Sequence, residues 1–191
     1  PLVPGETCGG CKGESLHFDA TVALWAYDGM VRQAIVAAKY GTKVALADAL
    51  GGCLAAKLLR TPWRDPPDLI TVVPSHPWRR MRRGDGGSRI IASAVQKTLR
   101  SSGFRIPMNE VLRVTRRVKK QALLGEIERQ GNVAGAFAIR KPWGLRYDLK
   151  DQHILLIDDV MTTGATANEV ARVLKVAGAR HVTIGVVARA I

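Results

Sequence analysis

The sequence predicts an α/β domain in which a mostly parallel sheet is flanked by helices. Two observations carry this. The last third reads as strand, turn, helix and strand in succession, and the short apolar run Leu69 to Val73 sits between prolines as a strand buried on both faces does. Taken in order, residues 1 to 17 are Gly-rich, polar and without periodicity, so they read as an appendage or linker, and the domain proper is expected over 18–191. Thr21 to Tyr27 reads as a strand. Met30 to Lys39 and Val44 to Leu59 carry apolar residues at helical spacing and are stopped by Pro62 and Pro66-Pro67; Cys53, between Leu50 and Leu54, reads as core. After the Leu69 to Val73 strand, Pro74 to Ser88 reads as a loop and Arg89 to Leu99 as a helix. Val111 to Val114 is then a short strand, and Gly135 to Ile139 another beyond a polar connector. His153 to Ile157 is a continuous apolar strand and Thr162 to Gly164 a turn. Ala165 to Ala177 is a helix with Val170, Val173 and Leu174 on one face, Gly178 its cap, and His181 to Ala188 the final strand.

The chain has 191 residues, of which 47% are hydrophobic, enough for a single core. Its 29 Lys and Arg against 16 Asp and Glu leave a net charge of +13, which points to anionic partners: nucleic acid, phosphorylated metabolites or acidic surfaces. No apolar run has the roughly 18 residues of a membrane span, and the first residues lack the layout of a signal peptide, so membrane insertion is not expected and a soluble cytoplasmic protein is. Three cysteines argue against a disulfide scaffold. Cys8 and Cys11 form a C-x-x-C in a Gly-rich setting, which has three readings: half of a zinc knuckle whose other pair lies upstream, a remnant without metal, or a redox pair.

The chemistry concentrates in Ile154 to Val170. Two adjacent carboxylates, Asp158 and Asp159, stand where a buried strand ends. Met161, Thr162, Thr163, Gly164, Ala165 and Thr166 then offer consecutive backbone N–H groups, hydroxyls and one glycine at a helix start, a combination suited to gripping a phosphate. Carboxylates ahead of a phosphate cradle suit a sugar phosphate, whose vicinal hydroxyls they accept hydrogen bonds from. No Gly-Lys-Ser/Thr follows the turn, so this is not a Walker A loop.

This segment resembles the signature for phosphoribosyl pyrophosphate (PRPP) in type I phosphoribosyltransferases. Within that superfamily the chain resembles the ComF competence-protein family over nearly its whole length: Cys8 and Cys11, Tyr27-Asp28-Gly29, Lys39-Tyr40-Gly41, Val73-Pro74-Ser75-His76 with Arg83-Gly84, then Thr115, Gln121, Leu124, Glu128-Arg129, Asn132-Val133 and Gly135-Ala136-Phe137. It departs at Asp85-Gly86-Gly87, where the family continues Phe-Asn-Gln, so those three residues take no role by analogy.

The resemblance implies a type I phosphoribosyltransferase fold preceded by a partial zinc-knuckle segment. It also implies PRPP held with Mg²⁺, Asp158 and Asp159 orienting the ribose, and Met161 to Thr166 binding the 5-phosphate. Pro74, Ser75, His76 and Arg83 would hold the pyrophosphate, and a flexible loop with Arg116, Arg117, Lys119, Lys120 and Gln121 would close over the centre. Read from residue types alone, the run Arg79 to Arg83 is either phosphate-facing or solvated basic surface, the run Arg113, Arg116, Arg117, Lys119 and Lys120 is either a closing loop or a charged connector, and His76, which could hydrogen-bond a phosphate, is more often a turn residue. Trp63, Trp78 and Trp143 either stack on bases or pack on the surface. The resemblance further implies a link to DNA uptake, with single-stranded DNA and a DNA-processing helicase as partners, and Zn²⁺ if the upstream cysteines exist. Two functions follow: a phosphoribosyltransferase of unidentified acceptor, or a non-catalytic single-stranded-DNA-binding protein that uses the site as a phosphate sensor.

Overall fold

The computed structural model describes residues 16–38, 43–63, 65–74, 87–116, 133–140 and 147–190. Along the chain run β1 (Ala20–Ala26), α1 (Gly29–Ala38), α2 (Val44–Leu59), β2 (Leu69–Val72), α3 (Gly87–Ser101), β3 (Leu112–Val114), β4 (Phe137–Ile139), β5 (His153–Met161), α4 (Ala165–Val176) and β6 (His181–Arg189). Four strands form one sheet in the order β1-β6-β5-β2, all neighbours parallel, while β3 and β4 pair as a separate antiparallel hairpin. The parallel sheet flanked by helices is as the sequence predicts. Beyond β2, Met108 makes a parallel bridge to Ile70, with Ile70 N–H donating to Pro107 and Asn109 N–H to Ile70. A single bridge beside a proline carries no strand pattern, so the sequence did not announce this extension.

β5 and β6 lie inside the sheet, which is why Ile154 to Ile157 and Ile184 to Ala188 are apolar throughout. Successive side chains alternate between faces. Leu155 and Ile157 face the layer of α1, α2 and α3, packing with Ile35, Leu54, Leu58, Ile91 and Val95. Ile154 and Leu156 face α4 and the hairpin, packing with Leu112, Phe137, Val170, Leu174 and Val182. Among the described residues no helix is long and apolar enough to cross a membrane.

Three expectations are corrected. β5 does not stop at Ile157 but continues to Met161, because β6 keeps pairing with it as far as Arg189, so Asp158 and Asp159 are strand residues. α3 starts at Gly87 rather than Arg89: its buried stripe Gly87, Ile91, Val95 and Leu99 extends a full turn further back, and Ser88 therefore belongs to the helix. Cys53 is exposed, because the buried side of α2 is Ala47, Leu50, Gly51, Leu54, Ala55 and Leu58, and the 100° turn per residue carries position 53 off that stripe.

The amino end of β5 holds a buried histidine. His153 Nδ1–H donates to the Asp65 carbonyl at 2.8 Å, and Nε2 accepts from the Thr183 hydroxyl at 2.8 Å, the tautomer following from the carbonyl's inability to donate. Burial pushes its pKa below the ordinary 6.5, with the Asp65 carbonyl opposing. In the unfolded chain the ring protonates first as pH falls through about 6.5, so the fold loses stability between there and the lowered folded-state value. The melting temperature is expected to fall between pH 7.5 and pH 5, and to fall less in His153→Gln; an equal slope in both would show that His153 stays solvated.

Candidate functional site

The carboxyl ends of β2 and β5 lie side by side, since Val72 pairs with Ile157 and the Val73 N–H donates to the Ile157 carbonyl. The helices that follow these two strands leave to opposite faces, α3 into the layer with α1 and α2, α4 onto the hairpin side. Diverging connections open a crevice between adjacent strand ends, the position at which open parallel sheets bind ligands. Asp158, Asp159 and Pro74 all stand at this edge.

Asp158 and Asp159 are half-buried. Asp158 Oδ1 accepts the Asp159 N–H at 2.8 Å and the Ser88 hydroxyl at 3.1 Å, so a residue in the first turn of α3 touches the acidic pair directly. Ser88 was not among the expected site residues. It lies next to the stretch that departs from the family pattern, and only the pairing of α3 with β5 brings it there.

After Met161, whose carbonyl accepts the Ala190 N–H at 2.9 Å, Thr162, Thr163 and Gly164 turn the chain into α4. Gly164 sits at the helix cap with φ 83°, in the left-handed region where a side chain is strained. Its carbonyl accepts the Asn168 N–H at 2.8 Å, and the Ala165 N–H reaches the Thr163 hydroxyl only at 3.5 Å. The loop thus presents the N-terminal turn of a 12-residue helix, with its outward amide groups and positive pole, beside two carboxylates. Sugar hydroxyls and a phosphate are the chemistry this juxtaposition accommodates.

Further along α4, buried Glu169 accepts the Gly135 N–H at 2.8 Å and is bound by the Arg172 guanidinium at 2.8 Å on both oxygens, which holds its carboxyl below the usual carboxylate range. Gly135 has φ 66°; its carbonyl accepts the Thr115 hydroxyl at 2.8 Å, and the Ala134 carbonyl accepts Arg116 Nη2. Arg116 is therefore placed at the end of β3, exposed and tied to the turn that enters β4. The opposite end of the hairpin is joined to α3 through Glu110, which lies 3.3 Å from Arg89 Nε and 3.3 Å from Arg140 Nη2.

Trp63 lies away from this edge. Its indole N–H donates to the Leu58 carbonyl at 3.0 Å and its ring meets His153 edge-on at 5.7 Å, at the opposite end of β5 from Asp158, about 17 Å off at the rise of a strand. It packs rather than stacks on a ligand at the site. Cys8, Cys11, Ser75, His76, Trp78, Arg79 to Arg83, Arg117, Lys119, Lys120, Gln121 and Trp143 fall outside the described residues.

The model of the phosphoribosyl transferase domain matches residues 86–191, more than half of the chain, and the protein belongs to that family. The match runs from the start of α3 through the acidic pair and the Met161 to Thr166 loop to the end of β6, and it bears out the family read from the motif. Among curated proteins the chain is 27% identical over 180 residues to DNA utilization protein YhgH of Escherichia coli K12, covering 93% of this chain and 75% of that one. It is 24% identical over 194 residues to Competence protein F of Haemophilus influenzae, covering 97% and 79%. Among solved structures it is similar to a purine phosphoribosyltransferase from Pyrococcus horikoshii, at 24% identity over 90% of this chain and 79% of that one, with a TM-score of 0.42.

Proposed function

We propose that this protein is a phosphoribosyltransferase of the ComF type that binds PRPP with Mg²⁺ at the carboxyl edge of β5 and β2 and transfers the phosphoribosyl group to an acceptor. The observation that carries the reading is the junction itself: two carboxylates near the end of β5, then, five residues on from Asp159, a left-handed glycine that caps the start of α4. In this reading Asp158 and Asp159 accept the ribose hydroxyls, and the Met161 to Thr166 loop holds the 5-phosphate. Pro74, Ser75, His76 and Arg83 hold the diphosphate, and the segment with Arg116, Arg117, Lys119, Lys120 and Gln121 covers the centre.

Among the described residues no group of three or more His, Cys, Asp or Glu could hold a metal ion unaided. Two adjacent carboxylates nevertheless fit Mg²⁺, which takes one or two protein carboxylates and completes its shell with phosphate oxygens and water. When bound, it would neutralise charge on the departing diphosphate. The chain's own contribution is positioning and electrostatics: the loop and the carboxylates hold the ribose while the C1–pyrophosphate bond breaks, an acceptor bonds to C1, and a carboxylate steadies the oxocarbenium-like positive charge. The names of the curated relatives support a role in DNA utilization or competence; single-stranded DNA and a helicase are the partners proposed for that role. Cys8 and Cys11, completed by an upstream pair, would hold Zn²⁺.

Isothermal titration of PRPP with and without Mg²⁺ tests the reading: binding that requires Mg²⁺ is expected, and no binding under either condition overturns it. The net charge of +13 favours a second reading, a non-catalytic single-stranded-DNA-binding accessory protein that keeps the site as a phosphate sensor. Binding to a single-stranded oligonucleotide is expected to weaken steeply between 50 and 200 mM salt, by about 10-fold or more for a few phosphate contacts. Affinity that ignores salt, or no affinity at all, would sink this second reading.

A further inference from the structure

We propose that Ser88 is a positioning residue for the acidic pair, its hydroxyl holding the Asp158 carboxylate in the orientation that meets the ribose. The inference rests on the PRPP reading of the site and deepens it. Ser88 Oγ donates to Asp158 Oδ1 at 3.1 Å, and the same oxygen accepts the Asp159 N–H at 2.8 Å. Two donors on one oxygen fix the plane of a carboxylate as well as its position, and a strand-end aspartate without them retains rotamer freedom that ligand binding must then remove.

The support behind Ser88 is itself anchored. Ser88 lies in the first turn of the 15-residue α3, whose positive N-terminal pole favours an adjacent carboxylate. The next residue, Arg89, reaches Glu110 at 3.3 Å. Glu110 adjoins Asn109, whose N–H donates to β2 at Ile70, and is also met by Arg140 beyond β4 at 3.3 Å. One turn of α3 therefore braces β5 through Ser88 and the far edge of the sheet through Arg89, at the crevice where the connections diverge. The side chain that touches Asp158 sits on a helix held from both sides, as a preorganised site requires.

The test is titration of Mg²⁺-PRPP, ribose 5-phosphate and pyrophosphate without Mg²⁺ into wild type, Ser88→Ala, Ser88→Thr and Asp158→Asn, with a melting temperature for each. Ser88→Ala is expected to weaken PRPP and ribose 5-phosphate about 5- to 10-fold, less than the loss of a charge-assisted hydrogen bond made directly to the ligand, because the serine acts through Asp158. Metal-free pyrophosphate, which does not reach Asp158, should be unaffected, and Ser88→Thr should restore affinity by keeping the hydroxyl. Wild-type affinity in Ser88→Ala overturns the proposal and leaves the PRPP reading intact. So does an equal weakening of all three ligands with a fall in melting temperature, which marks a merely structural serine. Wild type that binds neither PRPP nor ribose 5-phosphate overturns the PRPP reading and this inference together.

Discussion

Mg²⁺-dependent binding of PRPP is expected to fall at least about 100-fold in the Asp158→Asn/Asp159→Asn double variant, with the fold retained. Each aspartate contributes charge-assisted hydrogen bonds to hydroxyls or a share of the metal's charge, worth about 1.5–3 kcal/mol apiece, and two such losses exceed a factor of 100. The fold should survive because two contacts that seat Asp158 are donated to it and can be kept: the Ser88 hydroxyl and the Asp159 N–H both end on Oδ1, which an asparagine carbonyl oxygen replaces. Titration of wild type and variant at saturating Mg²⁺, with a thermal melt of each, reads both quantities. A variant that binds PRPP like wild type would remove the acidic pair from the site; one that melts far lower would mean the carboxylates hold the strand end rather than the ligand.

Two adjacent glycines in α2 are expected to respond to alanine with opposite signs. A Cβ on Gly51 would stand 2.5 Å from the Ile91 carbonyl oxygen and 2.6 Å from Ala94 Cβ, so α2 and α3 would have to separate. Overpacking of this kind costs about 1–3 kcal/mol and more where backbone is the obstacle, which outweighs the gain of about 1 kcal/mol from replacing a helical glycine. A Cβ on Gly52 would meet nothing within 4 Å, so only the gain applies there. At about 2–4 °C per kcal/mol for a chain of this length, Gly51→Ala is expected to melt roughly 4–8 °C lower and Gly52→Ala roughly 2–4 °C higher. Thermal melts of the two single variants check this, and Gly51→Ala melting at or above wild type would mean the helices are not in backbone contact. The same two helices carry the face against which Leu155 and Ile157 of β5 pack, so loosening them reaches the strand that bears the acidic pair.

The site was legible because its information is local. Asp158 to Thr166 are contiguous, and a strand end, a tight turn and a helix start each leave their own mark: an apolar run, a glycine where φ is positive, and threonines beside the first helical amides. The central strands were legible for the same reason, since burial on both faces favours apolar residues and admits polar ones only where they find partners, as His153 and Thr183 find each other. What misled was reading a boundary from residue type. Two aspartates look like the end of a strand, yet β6 pairs alongside them up to Arg189 and the ladder continues. Gly87 and Ser88 look like loop, yet the stripe that Gly87 starts is buried against α2. Cys53 has apolar neighbours in sequence, yet stands on the wrong side of its helix.

By itself, then, the amino-acid sequence determined the class of fold, the turn from β5 into α4 and the acidic pair beside it, and through them the family, since each depends on neighbours within a few residues of one another. Tertiary structure alone decided what surrounds them. Ser88 meets Asp158 across 70 residues, and Glu169 takes the Gly135 amide across 34. Arg89 and Arg140 share one carboxylate at Glu110. Such contacts arise from which strands are neighbours and to which face each helix departs, and no periodicity within a segment encodes that; it follows from packing all the apolar faces at once.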